Sequence, residues 1–384
     1  MKYISFFIIC LAVISCSNDP SNSNLESQLD ELFANEFSQE EPGGSVLVKK
    51  GDKIVFMKSY GLANLETKEK ITENTIFNTG SISKTFVSNG ILILNERDSL
   101  SLDDKLSKYF DDFNNTELAS KVTIKHMLSH TSGLPDMREV EDNYDFYLTA
   151  KDKENFEPLK HADSLNFEPG TKFQYSNPSY NGLALIIEQI ANEPWQQFIE
   201  DNIFKPSGMN DSKITNGSYP ESGVAHGYSN FYKEGDSTYY GAYYEYDYGE
   251  VPTFAAAGNG GVWSSILDLA KYEAAIQKNV FLSQEMIKES RTAFHPENWS
   301  HTLNPFVGYS WFTGEQKLFK SQSNFEVDFV YHNGSQGGFK AFYVTIPEKD
   351  ILVVGLFNRP LSDFRKLLLD SITLLEKNNW LEKY

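Results

Sequence analysis

The apolar positions of this chain fall into two rhythms, and each rhythm keeps to its own regions. Ser45-Val46-Leu47-Val48 and Ile54-Val55-Phe56-Met57 are short apolar runs on either side of Gly51-Asp52. They predict a hairpin over residues 44–61. Residues 325–331 alternate with period two, and the runs 339–346 and 351–357 flank Pro347-Glu348-Lys349-Asp350, which predicts a second hairpin. Elsewhere the spacing is helical. Leu25 to Phe37 reads as a helix, and Ser81 to Glu96 is apolar on most sides, the pattern of a helix buried mid-domain. Leu183, Ile186, Ile187, Ile190 and Ala191 mark one helix face, as do Phe364, Leu368, Ile372 and Leu375 near the end. Residues 100–320 mix helices with long loops. Strands at both ends with helices between predict an α+β fold: an antiparallel sheet built from distant segments, with an all-helical lobe at about 100–320 inserted in it.

The first residues follow neither rhythm. After Lys2, Ile4 to Ile14 is almost wholly apolar, yet shorter than the ~20 residues a spanning helix needs. It fits the apolar part of a secretory signal. The run ends in Val13-Ile14-Ser15-Cys16, which resembles a bacterial lipoprotein signal with Cys16 as the lipidated thiol. The expected division is a signal over residues 1–15, a flexible tether over 16–30 and one domain over 31–384. The protein is thus expected to be exported and lipid-anchored in the cell envelope. Cys10 and Cys16 are the only cysteines, so the domain has no disulfide, no thiolate metal ligand and no thiol nucleophile. A net charge of −19 argues against nucleic acid as a partner.

Three short motifs carry chemistry. Ser81-Ile82-Ser83-Lys84 places a hydroxyl and an amine on one helix face. A serine hydroxyl needs a base beside it. Lysine can serve if its pKa falls from about 10.4 to near 7, a change of roughly 4 kcal/mol that burial and a neighbouring cation can supply. Gly80 permits a tight entry, and the helix N-terminus favours negative charge developing at Ser81. Tyr175-Ser176-Asn177 follows the turn Phe167-Glu168-Pro169-Gly170 and precedes a helix. A tyrosine beside a lysine can pass a proton to a leaving group, and an asparagine amide can hold a substrate amide. The same tripeptide recurs at Tyr228-Ser229-Asn230, and the first copy is preferred for its loop. His332-Asn333-Gly334-Ser335-Gln336-Gly337-Gly338 ends one strand and leads into the next, where the Ser335 and Ser81 amides could hold an oxyanion.

Ser-x-x-Lys, Tyr-x-Asn and His-x-Gly in that order resemble the serine β-lactamase and penicillin-binding protein-like family: class C β-lactamases, DD-peptidases and related esterases. The flanks Thr123 to Pro135 and Ala256 to Ser264 resemble it too, and the likeness runs from about residue 40 to 375. It implies Ser81 as nucleophile, Lys84 as base, Tyr175 as proton relay, Asn177, Gly334 and Ser335 as substrate-binding residues, and His332 as the charge-stabilising group. Many β-lactamases of this type carry lysine where this chain has His332, whereas some peptidases and esterases share His-x-Gly. The implied reaction is hydrolysis of an amide or ester (a D-Ala peptide, a D-amino-acid peptide, an ester or a β-lactam) through a Ser81 acyl-enzyme. Neither cofactor nor metal is expected, although His126 and His130 stand four apart. A monomer acting on a small-molecule or peptide substrate is expected. The alternatives are a penicillin-binding sensor that acylates without efficient turnover and an interaction protein that keeps only the fold.

Overall fold

The computed structural model describes residues 20–138, 144–234, 237–245, 255–294, 306–315 and 327–382; the expected signal, residues 1–15, and Cys16 lie outside them. The first described helix, α1 (Pro20–Glu36), leads into the hairpin of β1 (Gly44–Lys50) and β2 (Lys53–Tyr60). There follow β3 (Phe77–Asn78), α2 (Ser83–Glu96), α3 (Ile124–Leu128) and α4 (Asn177–Ala191). Then come β4 (Lys213–Ile214), the hairpin of β5 (Tyr228–Glu234) and β6 (Ser237–Glu245), α5 (Ala257–Gly260), β7 (Val262–Ser264) and α6 (Ile266–Gln277). Strands β8 (Phe306–Val307), β9 (Phe312–Glu315), β10 (Asp328–Gln336), β11 (Phe339–Ile346) and β12 (Ile351–Phe357) precede α7 (Phe364–Lys377).

The expected α+β architecture is present. One antiparallel sheet runs β2-β1-β12-β11-β10-β9-β8, so the first hairpin pairs with the last strand. Strand β12 is buried along its whole length and splits by parity. Leu352, Val354 and Leu356 face the core under the inserted lobe, while Ile351, Val353 and Phe357 face α1 and α7. A strand with both faces covered reads as a continuous apolar run because neither parity meets water.

Two expectations change in detail. Residues 100–320 are mostly helical where described, yet they also hold β4 and β7 of the short sheet β3-β7-β4, the β5–β6 hairpin and the edge strands β8 and β9 of the main sheet. Residues 16–30 are not a tether throughout. Helix α1 begins at Pro20, and Leu25 and Leu29 are fully buried with Phe33. These residues recur every four positions, so they form one stripe that the outer face of the sheet needs for cover. Tyr239 to Tyr248 is rich in tyrosine, the pattern of an exposed loop along a binding groove or of a surface excursion; residues 239–245 instead belong to the exposed strand β6, and residues 246–248 lie outside the described part.

Candidate active site

Helix α2 is buried over Ser83 to Leu94, which explains its apolar residues on all sides. Ahead of it, Gly80 to Ile82 form a tight 3-10 turn, and Gly80 has φ of +53°. The turn rests directly on β10. A Cβ on Gly80 would stand 2.7 Å from the Ser335 nitrogen, and one on Gly334 only 1.9 Å from the Thr79 carbonyl oxygen. These two glycines thus bring the Ser81 and Ser335 segments together. In Gly334→Ala the turn would be pushed off the strand. The expected result is loss of most activity with a smaller loss of stability, read from kcat and a thermal melt.

Lys84 lies one turn on from Ser81 and is wholly buried. Its Nζ donates to Ser81 Oγ at 3.0 Å and to the Asn259 carbonyl at 2.8 Å. Burial, helped by the positive charge of Arg138, holds the amine well below the usual lysine range. A neutral amine beside a hydroxyl is a competent proton acceptor.

The Asn259 carbonyl is fixed from behind. Asn259 Nδ2 donates to Asn181 Oδ1 at 3.0 Å, and Asn181 Nδ2 donates to Asp152 Oδ1 at 2.7 Å. Asp152 also accepts from the Gly258 N–H at 2.7 Å and from Trp195 Nε1 at 3.0 Å. Burial pushes the Asp152 carboxyl up to about 6 against these bonds. Asp152→Ala would strand three donors. A cost of about 3 kcal/mol or more is expected, with Asp152→Asn losing less, as checked by denaturant unfolding.

Tyr175 sits on a pinned loop. Ser176 caps α4 with its side chain, and its N–H donates to His130 Nδ1 at 3.1 Å. The His130 ring stacks under Tyr175 at 4.3 Å. Because Nδ1 accepts, neutral His130 carries its proton on Nε2. The Tyr175 ring centroid lies 5.1 Å from Lys84 Nζ. Burial raises the phenol above its usual range, and the Ser81 hydroxyl facing it works the other way. Since 37 % of Tyr175 remains open to the cleft, burial acts on it less than on a wholly enclosed phenol. Either way it is a protonated donor at neutral pH, not a tyrosinate. Asn177 is half-buried at the first position of α4. Tyr228, of the second copy, is buried elsewhere and accepts the Leu65 N–H at 2.9 Å.

His332 is buried on β10, with Nδ1 2.7 Å from the Asn333 carbonyl oxygen. Burial first, then Lys84, pushes it down to about 3, so it is a neutral imidazole at pH 7 and brings no cation. Farther along, Gln336 and Phe339 close a two-residue turn with Gly337 at φ of +52°. Pairs alternate along an antiparallel ladder, so Ser335 and Lys340 form a wide pair and the Ser335 N–H points away from β11, to the side of the 3-10 turn.

Ser81, Tyr175, Phe312, His332, Ser335 and Lys340 are walls of one cleft of about 450 Å³, in which Gly334 also takes part. Lys84 stands behind Ser81, and Asn177 is not a wall. A larger hollow of about 690 Å³ beside Asn74, Asp211 and Tyr219 shares no wall with it and holds no nucleophile–base pair. His126 Nδ1 accepts the Thr123 N–H at 3.2 Å and caps α3. Among the described residues no three His, Cys, Asp or Glu are grouped to hold a metal.

The Beta-lactamase family profile matches residues 23–376. Penicillin-binding protein 4* of Bacillus subtilis (strain 168) is 31 % identical over 293 residues, which is 75 % of this chain and 63 % of that protein. The chain therefore spans less than two thirds of that relative. The structure of the octameric penicillin-binding protein homologue from Pyrococcus abyssi is 27 % identical with a TM-score of 0.72, covering 93 % of this chain and 77 % of the other. The D-amino acid amidase of Ochrobactrum anthropi SV3, complexed with D-phenylalanine, has a TM-score of 0.73 at 19 % identity over 94 % of this chain and 99 % of its own, a likeness of fold.

Proposed function

Because the chain belongs to the Beta-lactamase family, we propose that it cleaves amide or ester bonds through an acyl-enzyme on Ser81. The observation that carries this reading is the 3.0 Å contact between the Ser81 hydroxyl and the buried, neutral amine of Lys84. Ser81 Oγ attacks the substrate carbonyl and its proton passes to Lys84 Nζ. The oxyanion forms between the N–H groups of Ser81 and Ser335, donors that need no reorganisation as charge develops. As the carbon–leaving-group bond breaks, the Tyr175 phenol gives its proton to the departing nitrogen or oxygen, and Lys84 returns one to Tyr175. Water then attacks the ester and gives its proton to the neutral Lys84, directly or by relay through the Tyr175 hydroxyl; as the acyl–oxygen bond breaks, Ser81 Oγ takes that proton from Lys84 and the acid is released. Asn177, two residues beyond Tyr175 at the start of α4, is proposed to meet the part of the substrate amide that extends past the walls of this cleft.

The substrate classes are D-Ala peptides, D-amino-acid peptides, esters and β-lactams. A panel of a chromogenic ester, a D-amino-acid amide, a D-Ala peptide and a β-lactam tests the reading. Turnover of at least one, with a burst of one leaving group per chain, is expected; no turnover and no burst would contradict it. Tyr175→Phe is expected to slow amides by about 10²-fold. Activated esters, whose leaving groups need no proton, should slow less.

Lipid attachment at Cys16 and export to the cell envelope belong to the same reading. An acyl chain on Cys16 is the proposed anchor; among the described residues no helix is long and apolar enough to cross a membrane. Metabolic labelling with a palmitate analogue, lost in Cys16→Ala, is the check. The domain is proposed to act as a monomer. Light scattering tests this, given the octameric archaeal homologue.

A further inference from the structure

Asp152 is buried, and the donors that reach it are all neutral: the Gly258 N–H, Asn181 Nδ2 and Trp195 Nε1. A buried carboxylate served by neutral donors alone is costly to keep. It is not a wall of the cleft, and the reaction above gives it no part. An ionised carboxylate can only accept, so it sets the direction of every bond that follows from it. Asn181, wholly buried on α4, must turn its NH2 to Asp152 and its carbonyl oxygen to Asn259, where it takes Asn259 Nδ2 at 3.0 Å. The same carboxylate oxygen takes the Gly258 N–H. Asn259 is therefore held both by its side chain and by the peptide ahead of it.

Helix α5 is a single turn and cannot hold its own shape. One of its last-turn carbonyls, that of Asn259, receives Lys84 Nζ at 2.8 Å. A neutral amine has two N–H groups and one lone pair, and it turns about its Cε–Nζ bond. Attack by Ser81 requires the Ser81 O–H to donate to that lone pair. With one N–H committed to the Asn259 carbonyl, the lone pair can face Ser81 Oγ, 3.0 Å away. We propose that Asp152 is a positioning residue for Lys84: through Asn181 and Asn259 it holds the carbonyl that aims the amine at Ser81. This rests on the acyl-enzyme reading above and adds to it a group that touches neither substrate nor nucleophile.

The test is the rate at which an activated ester acylates the full chain in a single turnover. Asn259→Ala removes the link to Asn181 but keeps the carbonyl that Lys84 uses. Asp152→Asn keeps the shape but no longer obliges Asn181 to present its NH2. Each is expected to slow acylation by about 10-fold or more, on the way to the ~10²-fold that a small misplacement costs. The loss should lie in the maximal rate, with KM near the wild-type value. The decisive arm repeats both substitutions in Lys84→Met. A group that acts only by aiming Lys84 then has nothing to aim, so neither substitution should lower the residual rate further. A general loosening of the fold would lower it by the same factor in both backgrounds. That result, or wild-type acylation rates in both single variants, would overturn the assignment. Asn259 is only half-buried, so Asn259→Ala carries the comparison alone if Asp152→Asn does not fold. Acylation of Ser81→Ala at the wild-type rate would bring down the parent reading. Equal factors in the two backgrounds, with Ser81→Ala inert, would remove only the role of Asp152.

Discussion

Ser81→Ala is expected to lower kcat by about 10⁴-fold or more on any substrate the wild type turns over, the scale seen when a nucleophile is removed. No neighbouring group can take its place. Ser335 Oγ accepts a hydrogen bond from Lys340, an amine that is only half-buried where Lys84 is wholly buried. Ser83 Oγ is buried and bonded to the Val262 N–H at 2.9 Å. Neither cysteine lies in the described part. The substitution removes one oxygen from a cleft wall and should leave the fold intact. Steady-state kinetics should therefore show a fall in kcat with an unchanged thermal melt. Turnover at the wild-type rate would remove Ser81 from the mechanism.

Lys84→Met is expected to lower kcat by about 10³-fold while raising stability at neutral pH. The two effects share a cause. In the unfolded chain the amine has its ordinary pKa, and in the fold burial holds it far lower. Between those values the unfolded state binds the extra proton, so wild-type stability rises with pH across that window and is reduced below it. Methionine has no proton to lose. The stability advantage of Lys84→Met should be greatest at low pH and shrink as pH approaches the ordinary lysine value, as denaturant titrations at several pH values would record. Against it stands the Asn259 carbonyl, which loses its donor. Activity of the wild type should likewise rise with pH as the folded Lys84 gives up its proton. A stability difference between Lys84→Met and the wild type that does not change with pH would show that the amine is not held neutral.

The strands and the nucleophile helix were legible because their signals are local. The runs at 339–346 and 351–357 coincide with β11 and β12, and β12, covered on both faces, is apolar throughout. The start of α1 was obscured by a polar run, although Leu25 and Leu29 already had the spacing of a buried stripe. In the site, Ser-x-x-Lys is one helical turn and can be read directly. The parts that tune it cannot. His130 reaches Tyr175 through a left-handed backbone after α3, and Asp152 reaches Lys84 only through Asn181 and Asn259. Both lie in segments whose spacing to Ser81 carries no period. His130 and Asn259 sit within the flanks that resembled the family, which was the one available signal. The choice between the two Tyr-x-Asn copies also required tertiary structure, because sequence alone does not say which tyrosine faces the lysine.

The central claim is that a buried neutral lysine makes one serine hydroxyl nucleophilic, and trapping the acyl adduct tests it most directly. Wild type, Ser81→Ala and Lys84→Met are each mixed with an activated ester or a β-lactam, quenched in acid at successive times, weighed intact and digested with trypsin. The account predicts one adduct per wild-type chain, on the peptide spanning residues 71–84 that contains Ser81. It predicts none in Ser81→Ala and greatly slowed formation in Lys84→Met. Decay of the adduct marks a hydrolase, and a persistent adduct marks the sensor. Labelling of another peptide, or equal labelling rates in wild type and Lys84→Met, would contradict the account.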